Sequence, residues 1–383
     1  MTTQTSTDID IAICGAGPVG LTLAGLLVQR GVAPSRILLL DARTAEQSRS
    51  DPRSIALSYG SRQILDQVGA WPIPAQAIDQ IHVSRRGHFG RTLIDRADYG
   101  VPALGYVTRY GALVSALSDA VARMAVEVRR PCQITAADDT AEGVTLRLAD
   151  GSCCRAAVLI QAEGGVFARQ PARALHRDYQ QSAIVTHVTT SNPLMQRAYE
   201  RFTAEGPLAL LPQDGGYAVV WCTQTDTATQ LMALDDAAFL DALGNAFGTR
   251  VGQFLGVAQR YAYPLGLNAH VTPTARTVAI GNAAQTLHPV AGQGLNLGLR
   301  DAKVLARLLA QKANPAALAS FAKERSKDRD IVIRVTDAMA RVFSSAPDGA
   351  LSQSVLGLSL GLLDAIPPVR RILAEQMMFG QRT

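Results

Sequence analysis

Aromatic residues are scarce in this sequence, at 5% of 383 positions, and cysteines number five. None of Cys14, Cys132, Cys153, Cys154 and Cys222 forms a C-x-x-C pair, and Cys153 and Cys154 are neighbours, which is poor geometry for a structural bridge. This spacing predicts reduced thiols in a cytosolic protein and excludes a disulfide scaffold. The six histidines lack metal-ligand spacing, so no metal site is expected. No apolar run approaches the roughly 20 residues needed to span a bilayer. The first ten residues, MTTQTSTDID, are polar and lack the basic and apolar regions of a secretory signal. Basic side chains are dispersed. A net charge of +5 and a pI near 9.1 therefore describe ordinary surface charge, with weak attraction to anionic lipid, and no track for nucleic acid. The sequence also has no Ser-His-Asp order, no two-metal carboxylate set and no internal repeat.

What is present reads as a globular α/β chain. Hydrophobic residues make up 48% of it, and 383 residues exceed one simple core, which predicts two interlocked domains. Residues 9–14 form a short apolar strand, 21–29 a helix closed by Gly31, and 37–40 a second buried strand, together one βαβ unit. Residues 55–69, with Ile55, Leu57, Ile64, Leu65 and Val68 on one face, and 111–125 read as amphipathic helices. The stretch 126–159, with its turn Asp150-Gly151, reads as a small set of strands. Between 181 and 264, β-like runs at 184–188 and 217–221 flank a helical stretch near 234–247. A strand at 277–280 precedes a glycine-rich loop, and helices follow over 295–312 and 316–344. Residues 351–373 hold two short amphipathic segments split by Pro367-Pro368.

The run Gly15-Ala16-Gly17-Pro18-Val19-Gly20 is G-x-G-x-x-G, set between the first strand and its helix. Gly15 permits the tight turn, Gly17 lets a pyrophosphate approach the backbone, and Gly20 lets helix and strand pack closely. The helix start then offers free N–H groups and a positive dipole end to phosphates. Asp41 ends the second strand, about 20 residues on, where an acid binds ribose hydroxyls and disfavours NADP. The unit predicts dinucleotide binding but does not separate FAD from NAD.

A second loop carries more. It runs Gly281-Asn282-Ala283-Ala284-Gln285-Thr286-Leu287-His288-Pro289 and continues through Gly292, Gly294, Leu295 and Asn296 to Asp301-Ala302. It resembles the second FAD motif of the flavin monooxygenases that include the ubiquinone-biosynthesis hydroxylases. Asn282 and Gln285 depart from the Gly-Asp opening of most of that family and match its 2-octaprenyl-6-methoxyphenol hydroxylase subgroup. Residues Asp51 to Ser58, with Ser61, Leu65, Gly69, Ala70 and Trp71, resemble the segment that follows the first FAD motif. Residues Arg201 to Pro212, followed by Trp221, resemble the family's substrate-side strand and loop. One segment departs. At Gln161-Ala162-Glu163-Gly164-Gly165-Val166-Phe167-Ala168-Arg169 the chain has Glu163 for the family's Asp and Phe167 for its Ser.

The resemblance implies an α/β fold. It would have a Rossmann-like FAD-binding domain of the flavin aromatic hydroxylase type, an inserted mixed β-sheet substrate domain and a helical C-terminus. Residues 1–75, 103–180 and 265–345 would build the discontinuous FAD-binding domain, 76–102 and 181–264 the substrate domain, and 346–383 a C-terminal helical segment. It implies cofactor contacts at Gly15, Gly17, Gly20, Asp41, Arg53, Glu163, Asn282, Pro289, Gly292, Gly294, Leu295 and Asn296. Asn282 can bond a ribityl or phosphate oxygen without charge repulsion, and Pro289 would form a rigid wall beside the isoalloxazine. The helix after Gly294 would favour negative charge on the reduced flavin. Arg53 would help retain the flavin, although an arginine there also suits a surface ion pair. His288 reads as a buried loop histidine, and no protein residue is singled out as catalytic because the chemistry is the flavin's.

The implied reaction is hydroxylation of a polyprenylated phenol by O2, with NADH or NADPH as electron donor. The implied setting is cytoplasmic, with peripheral contact at the inner membrane, an assembly with other ubiquinone-biosynthesis enzymes, and a homo-oligomer as a further arrangement. Residues 355–363 suit either a core helix or a lipid-lying segment. The altered segment from Glu163 to Phe167 motivates a second reading, an FAD-binding scaffold that turns over poorly. A flavin dehydrogenase without oxygen insertion is a third.

Overall fold

The computed structural model describes residues 8–86, 91–164, 175–269, 274–288 and 292–345, together with Glu375, Met378 and Phe379. The predicted contact at Pro289, the position Phe167 and nearly all of 346–383 lie outside the described residues.

The first half of the chain runs β1 (Asp8–Cys14), α1 (Pro18–Gln29), β2 (Ile37–Leu40), α2 (Ala45–Arg49), β3 (Ser54–Ser58), α3 (Tyr59–Val68), β4 (Ala75–Ile78), β5 (Gln80–Arg85), β6 (Arg91–Asp95), β7 (Gly105–Arg109), α4 (Tyr110–Arg123), β8 (Glu127–Arg129), β9 (Ile134–Asp139), β10 (Val144–Leu148) and β11 (Cys153–Gln161). The second half runs β12 (Leu175–Thr190), β13 (Arg197–Phe202), β14 (Pro207–Gln213), β15 (Gly216–Gln224), α5 (Thr225–Ala233), α6 (Asp236–Phe247), β16 (Phe254–Val257), β17 (Tyr261–Ala269), β18 (Thr277–Ala279), α7 (Gln293–Leu309) and α8 (Pro315–Ser345).

Three sheets result. In the first, β8, β2, β1, β11 and β18 lie side by side and parallel, and β10 and β9 extend it antiparallel beyond the start of β11. A parallel sheet is covered on both faces, so its strands are continuously apolar. Accordingly all four residues of β2 are buried, and Ile11, Ala12 and Ile13 of β1 have no exposed surface. One face carries α1, α3, α4 and α7 over a core containing Ile11, Ile13, Leu23, Leu39, Leu117 and Leu305. The second sheet has eight strands, in the order β16-β12-β15-β14-β13-β5-β6, with β17 on β12. Helices α5 and α6 cover its outer face through Phe239, Leu243 and Phe247, against Tyr199, Leu208, Tyr217 and Trp221. The third sheet, β3-β7-β4, is small and antiparallel. Its Ile78 and Val107 pack on Ala198 of the large sheet's inner face.

Two elements differ from the sequence reading. Residues 54–58 are a strand, because they pair antiparallel with β7, and Ser58 then caps the helix by accepting from the Ser61 N–H. Helix α5 was not anticipated. The strands β12 and β17 run straight through positions 180/181 and 264/265, where domain edges were expected. Among the described residues no helix is long and apolar enough to cross a membrane, and no group of His, Cys, Asp and Glu could hold a metal ion.

Candidate active site

The register of the parallel sheet brings five chain segments to one edge. Cys14 pairs with Leu40 and with Gln161, Leu40 with Arg129, and Gln161 with Ala279. These residues end or nearly end their strands, so the next positions leave the sheet side by side: Gly15, Asp41, Arg130, Glu163 and, after one turn, Asn282. Open α/β sheets bind ligands at the carboxyl ends of their strands, and this edge holds both sequence motifs. A separate hollow of about 400 Å3 at Asp79, Asp95, Arg96 and Arg197 contains none of these residues.

The glycine-rich turn is shaped by its neighbours. Gly15 has φ +106°, and a Cβ there would lie 2.7 Å from the Ala162 carbonyl carbon and the Glu163 nitrogen. A Cβ on Gly20 would lie 1.9 Å from the Gly15 oxygen, so only glycine lets α1 pack this close. Gly17 differs. A Cβ there would meet only the Tyr110 hydroxyl, at 3.3 Å, so its Cα faces free space. Gly17 is also the N-cap of α1, without a side-chain cap and with no acid in the first turn. The turn therefore offers backbone N–H groups and a dipole end to an anion.

Asp41 is buried and tied to that turn. Its Oδ2 accepts from the Ala16 N–H at 2.8 Å and its Oδ1 from the Arg43 N–H at 2.8 Å. Arg130 lies 3.8 Å from the same carboxylate and donates to the Ala16 carbonyl, while its buried Nε has no partner among the described residues. The Arg43 side chain hydrogen-bonds Tyr110. The Cys14 thiol is pushed well up by burial and then by the adjoining Glu163 carboxylate, so it stays neutral. Glu163, Gly164 and Asn282 are exposed together, and a Cβ on Gly164 would lie 3.0 Å from the Asn282 Cβ.

The second loop is held from below. Gly292 is the N-cap of α7, which likewise has no side-chain cap and no acid in its first turn. Asn296 fixes this start. Its Oδ1 accepts from the Ser58 N–H at 2.9 Å and the Ser61 hydroxyl at 2.7 Å, and its Nδ2 donates to the Gly292 and Ala56 carbonyls at 2.8 and 3.2 Å. The Asn296 side chain is thus filled by protein partners and acts by positioning the loop. Gly294 and Leu295 remain half-buried beside it. Arg53 makes the expected ion pair, gripping Asp51 at 2.7–3.1 Å, and lies over the Tyr110 ring, 5.0 Å from its centroid. Burial opposes charge on Asp51, yet the Arg53 guanidinium holds its carboxyl below the usual range. His288 is buried, and burial lowers its pKa to about 4, so it is neutral near pH 7. Its Nε2 lies 3.1 Å from Gln181 Oε1, and Gln181 donates to the Glu205 carbonyl, which orients the amide. The histidine is therefore the donor in that bond.

The chain is similar to known proteins over most of its length. The family described as FAD binding domain matches residues 8–336. The chain belongs to this family. It is 31% identical to ubiquinone hydroxylase UbiL of Rhodospirillum rubrum, over 96% of this chain and 89% of the relative. It is 32% identical to the 3-demethoxyubiquinol 3-hydroxylase of Escherichia coli, over 80% and 81%. Among solved structures, p-nitrophenol 4-monooxygenase PnpA from Pseudomonas putida superposes with a TM-score of 0.75 at 16% identity, covering 98% of this chain and all of that one, which shows a shared fold. The protein is an FAD-dependent aromatic-ring monooxygenase.

The residues present fit FAD. Two uncapped helix starts, the free face of Gly17 and the buried, incompletely paired Arg130 are features a dinucleotide with a pyrophosphate would satisfy. Sequence reasoning missed Arg130 and Tyr110. Arg130 follows a three-residue strand whose place beside β2 is set by long-range pairing, and no local pattern marks it.

Proposed function

We propose that the chain hydroxylates the ring of a polyprenylated phenol in ubiquinone biosynthesis, a substrate of the 2-polyprenyl-6-methoxyphenol type. The observation that carries this reading is the convergence of the G-x-G-x-x-G turn and the Gly281–Asn296 loop at one strand edge, facing the inner face of the large sheet. In this reading the pyrophosphate lies on Gly15, Gly17 and Gly20 at the start of α1, with Asp41 at the ribose and Arg130 beside it. Glu163 and Asn282 stand on the ribityl side, and Pro289, Gly292, Gly294 and Leu295 line the flavin, with Arg53 retaining it. Residues 1–75, 103–180 and 265–345 form the FAD unit and 76–102 and 181–264 the substrate unit.

Held by these residues, FAD would supply oxygen reactive toward an electron-rich ring, at the expense of a nicotinamide donor and O2. The chain's own part is to orient that ring and keep water from the site. Buried Ala183, Cys222 and Leu265 give the inner face an apolar floor for this purpose. Peripheral contact with the inner membrane and with other enzymes of the pathway would supply the tailed substrate.

An anaerobic absorbance spectrum before and after NADH or NADPH tests the reading. Bound flavin that bleaches, faster when a 2-alkyl-6-methoxyphenol is present, is expected. Flavin that stays oxidised favours the scaffold reading, with Glu163→Asp as the next variant, and protein that cannot be loaded with FAD contradicts the reading outright.

A further inference from the structure

Among the described residues the inner face of the large sheet presents one carboxylate, Glu200 of β13. Strand register sets it in a row with Val83 of β5, Ala209 of β14, Val220 of β15 and Val185 of β12. All five are half-buried, whereas Tyr199, Leu208, Val219, Trp221 and Ile184, which point to the opposite face, are buried under α5 and α6. Glu200 thus keeps part of its surface open on this face. Three contacts on the same face show what it meets. Gln181 meets His288 of the second loop, Gln213 accepts from the Ser54 hydroxyl beside Arg53, and Tyr263 interacts with Arg53 and Asp51. Glu200 therefore stands on the sheet face that meets the second loop and the Arg53 segment.

Nothing in the fold uses this group. Among the described residues its carboxyl has no hydrogen bond and no cation partner, and the one titratable neighbour it interacts with is the Cys222 thiol of β15. From β5 and β14 it is faced by Val83 and Ala209. A half-buried carboxyl in such surroundings suits a ligand that brings its own hydroxyl hydrogen.

We propose that Glu200 receives the phenolic hydroxyl of the substrate and takes its proton as the ring is hydroxylated. This rests on the phenol reading above. The phenolic O–H bond breaks and an O–H bond forms on Glu200. The electron pair left on the phenolic oxygen spreads into the ring and enriches the ortho and para carbons. The attacked carbon accepts one oxygen atom derived from O2 and then loses its hydrogen as a proton; the second oxygen atom, reduced by the two electrons of the nicotinamide donor, takes up that proton and leaves as water, and Glu200 returns its own proton to the phenolic oxygen. Burial holds the carboxyl up to about 7, which matches a base working near neutral pH.

The test uses full-length, FAD-loaded protein with a short-tailed 2-alkyl-6-methoxyphenol. The wild-type hydroxylation rate is expected to rise with pH through a midpoint near 7. Glu200→Gln is expected to lower kcat on the order of a hundredfold and lose that limb. A ring-fluorinated phenol, which ionises more readily, should recover part of the lost rate. FAD content is the control for folding. If the Gln variant fails it, Glu200→Asp is read instead, and a midpoint that does not move overturns the assignment. A Gln variant with the wild-type rate and pH limb overturns it as well. Wild-type protein whose FAD is reduced but which hydroxylates no phenol overturns the substrate reading and this role together, so wild type alone tells the two failures apart.

Discussion

Asp41 illustrates how one side chain ties a loop to the fold. It accepts from the Ala16 N–H, sits beside the buried Arg130, and leaves the sheet next to the glycine-rich turn. Asp41→Ala leaves that N–H and that cation short of a partner. The expected loss of FAD affinity is about 3 kcal/mol, roughly a hundredfold, measured by flavin fluorescence titration. Glu200 carries the opposite signature. Its pKa is about 7 in the folded chain against an ordinary 4.5, so the folded chain holds the proton more tightly than the unfolded one. Stability therefore falls as pH rises between those values and stays lower above them. Glu200→Gln removes this dependence, so the variant should melt above wild type at pH 8 and no higher than wild type at pH 4. An acid kept where it weakens the fold is what a functional site predicts.

At the scale of elements, the contact between α7 and β3 rests on Asn296. Asn296→Ala removes four hydrogen bonds and leaves the Ser58 N–H and the Ala56 carbonyl without this partner. A stability loss of about 2–3 kcal/mol is expected in urea unfolding, with faster loss of flavin from the loosened loop. Helices α7 and α8 are joined by buried Asp301, which accepts from Arg325 Nε at 2.7 Å and Arg329 Nη2 at 2.7 Å. Burial opposes its charge, but Arg329 and Arg325 outweigh burial and hold the carboxyl below its usual range. Its stabilisation is thus complete above the ordinary carboxylate range and lost as pH falls through the lowered value. Asp301→Asn should cost about 3–5 kcal/mol at pH 7, with the gap to wild type closing in acid.

The same elements show what sequence can reveal. The first βαβ unit was legible because strand, turn, helix and acid are contiguous, and β2 is apolar at every position. Residues 54–58 were misread because Ile55 and Leu57 also satisfy a helical spacing with Ile64, Leu65 and Val68. The Ser58 cap was the deciding local signal. Helix α5 was hidden because Thr225–Ala233 holds three threonines and few apolar residues. It is ordered by Ala228 and Leu231, which pack into the core beneath α6.

For the whole molecule, the site is a product of assembly. The turn and Asp41 were readable from one local unit, and the second loop from its motif. Arg130, Tyr110 and Glu200 were not, because their placement depends on which strand lies beside which, and no local period encodes that. Among the described residues, Gln181 to His288 ties the large sheet to the second loop, and Ser54 to Gln213 and Arg109 to Asp214 tie it to the small sheet. In the proposed function, flavin, O2 and phenol meet between the second loop and the inner face of the large sheet.

The most direct test of that meeting is a single turnover of FAD-loaded protein with NADH or NADPH, a 2-alkyl-6-methoxyphenol and isotopically labelled O2, with the product read by mass spectrometry. The account predicts a ring-hydroxylated product carrying one labelled oxygen atom. Consumption of the nicotinamide with an unhydroxylated phenol, or a product whose new oxygen is unlabelled, would contradict it.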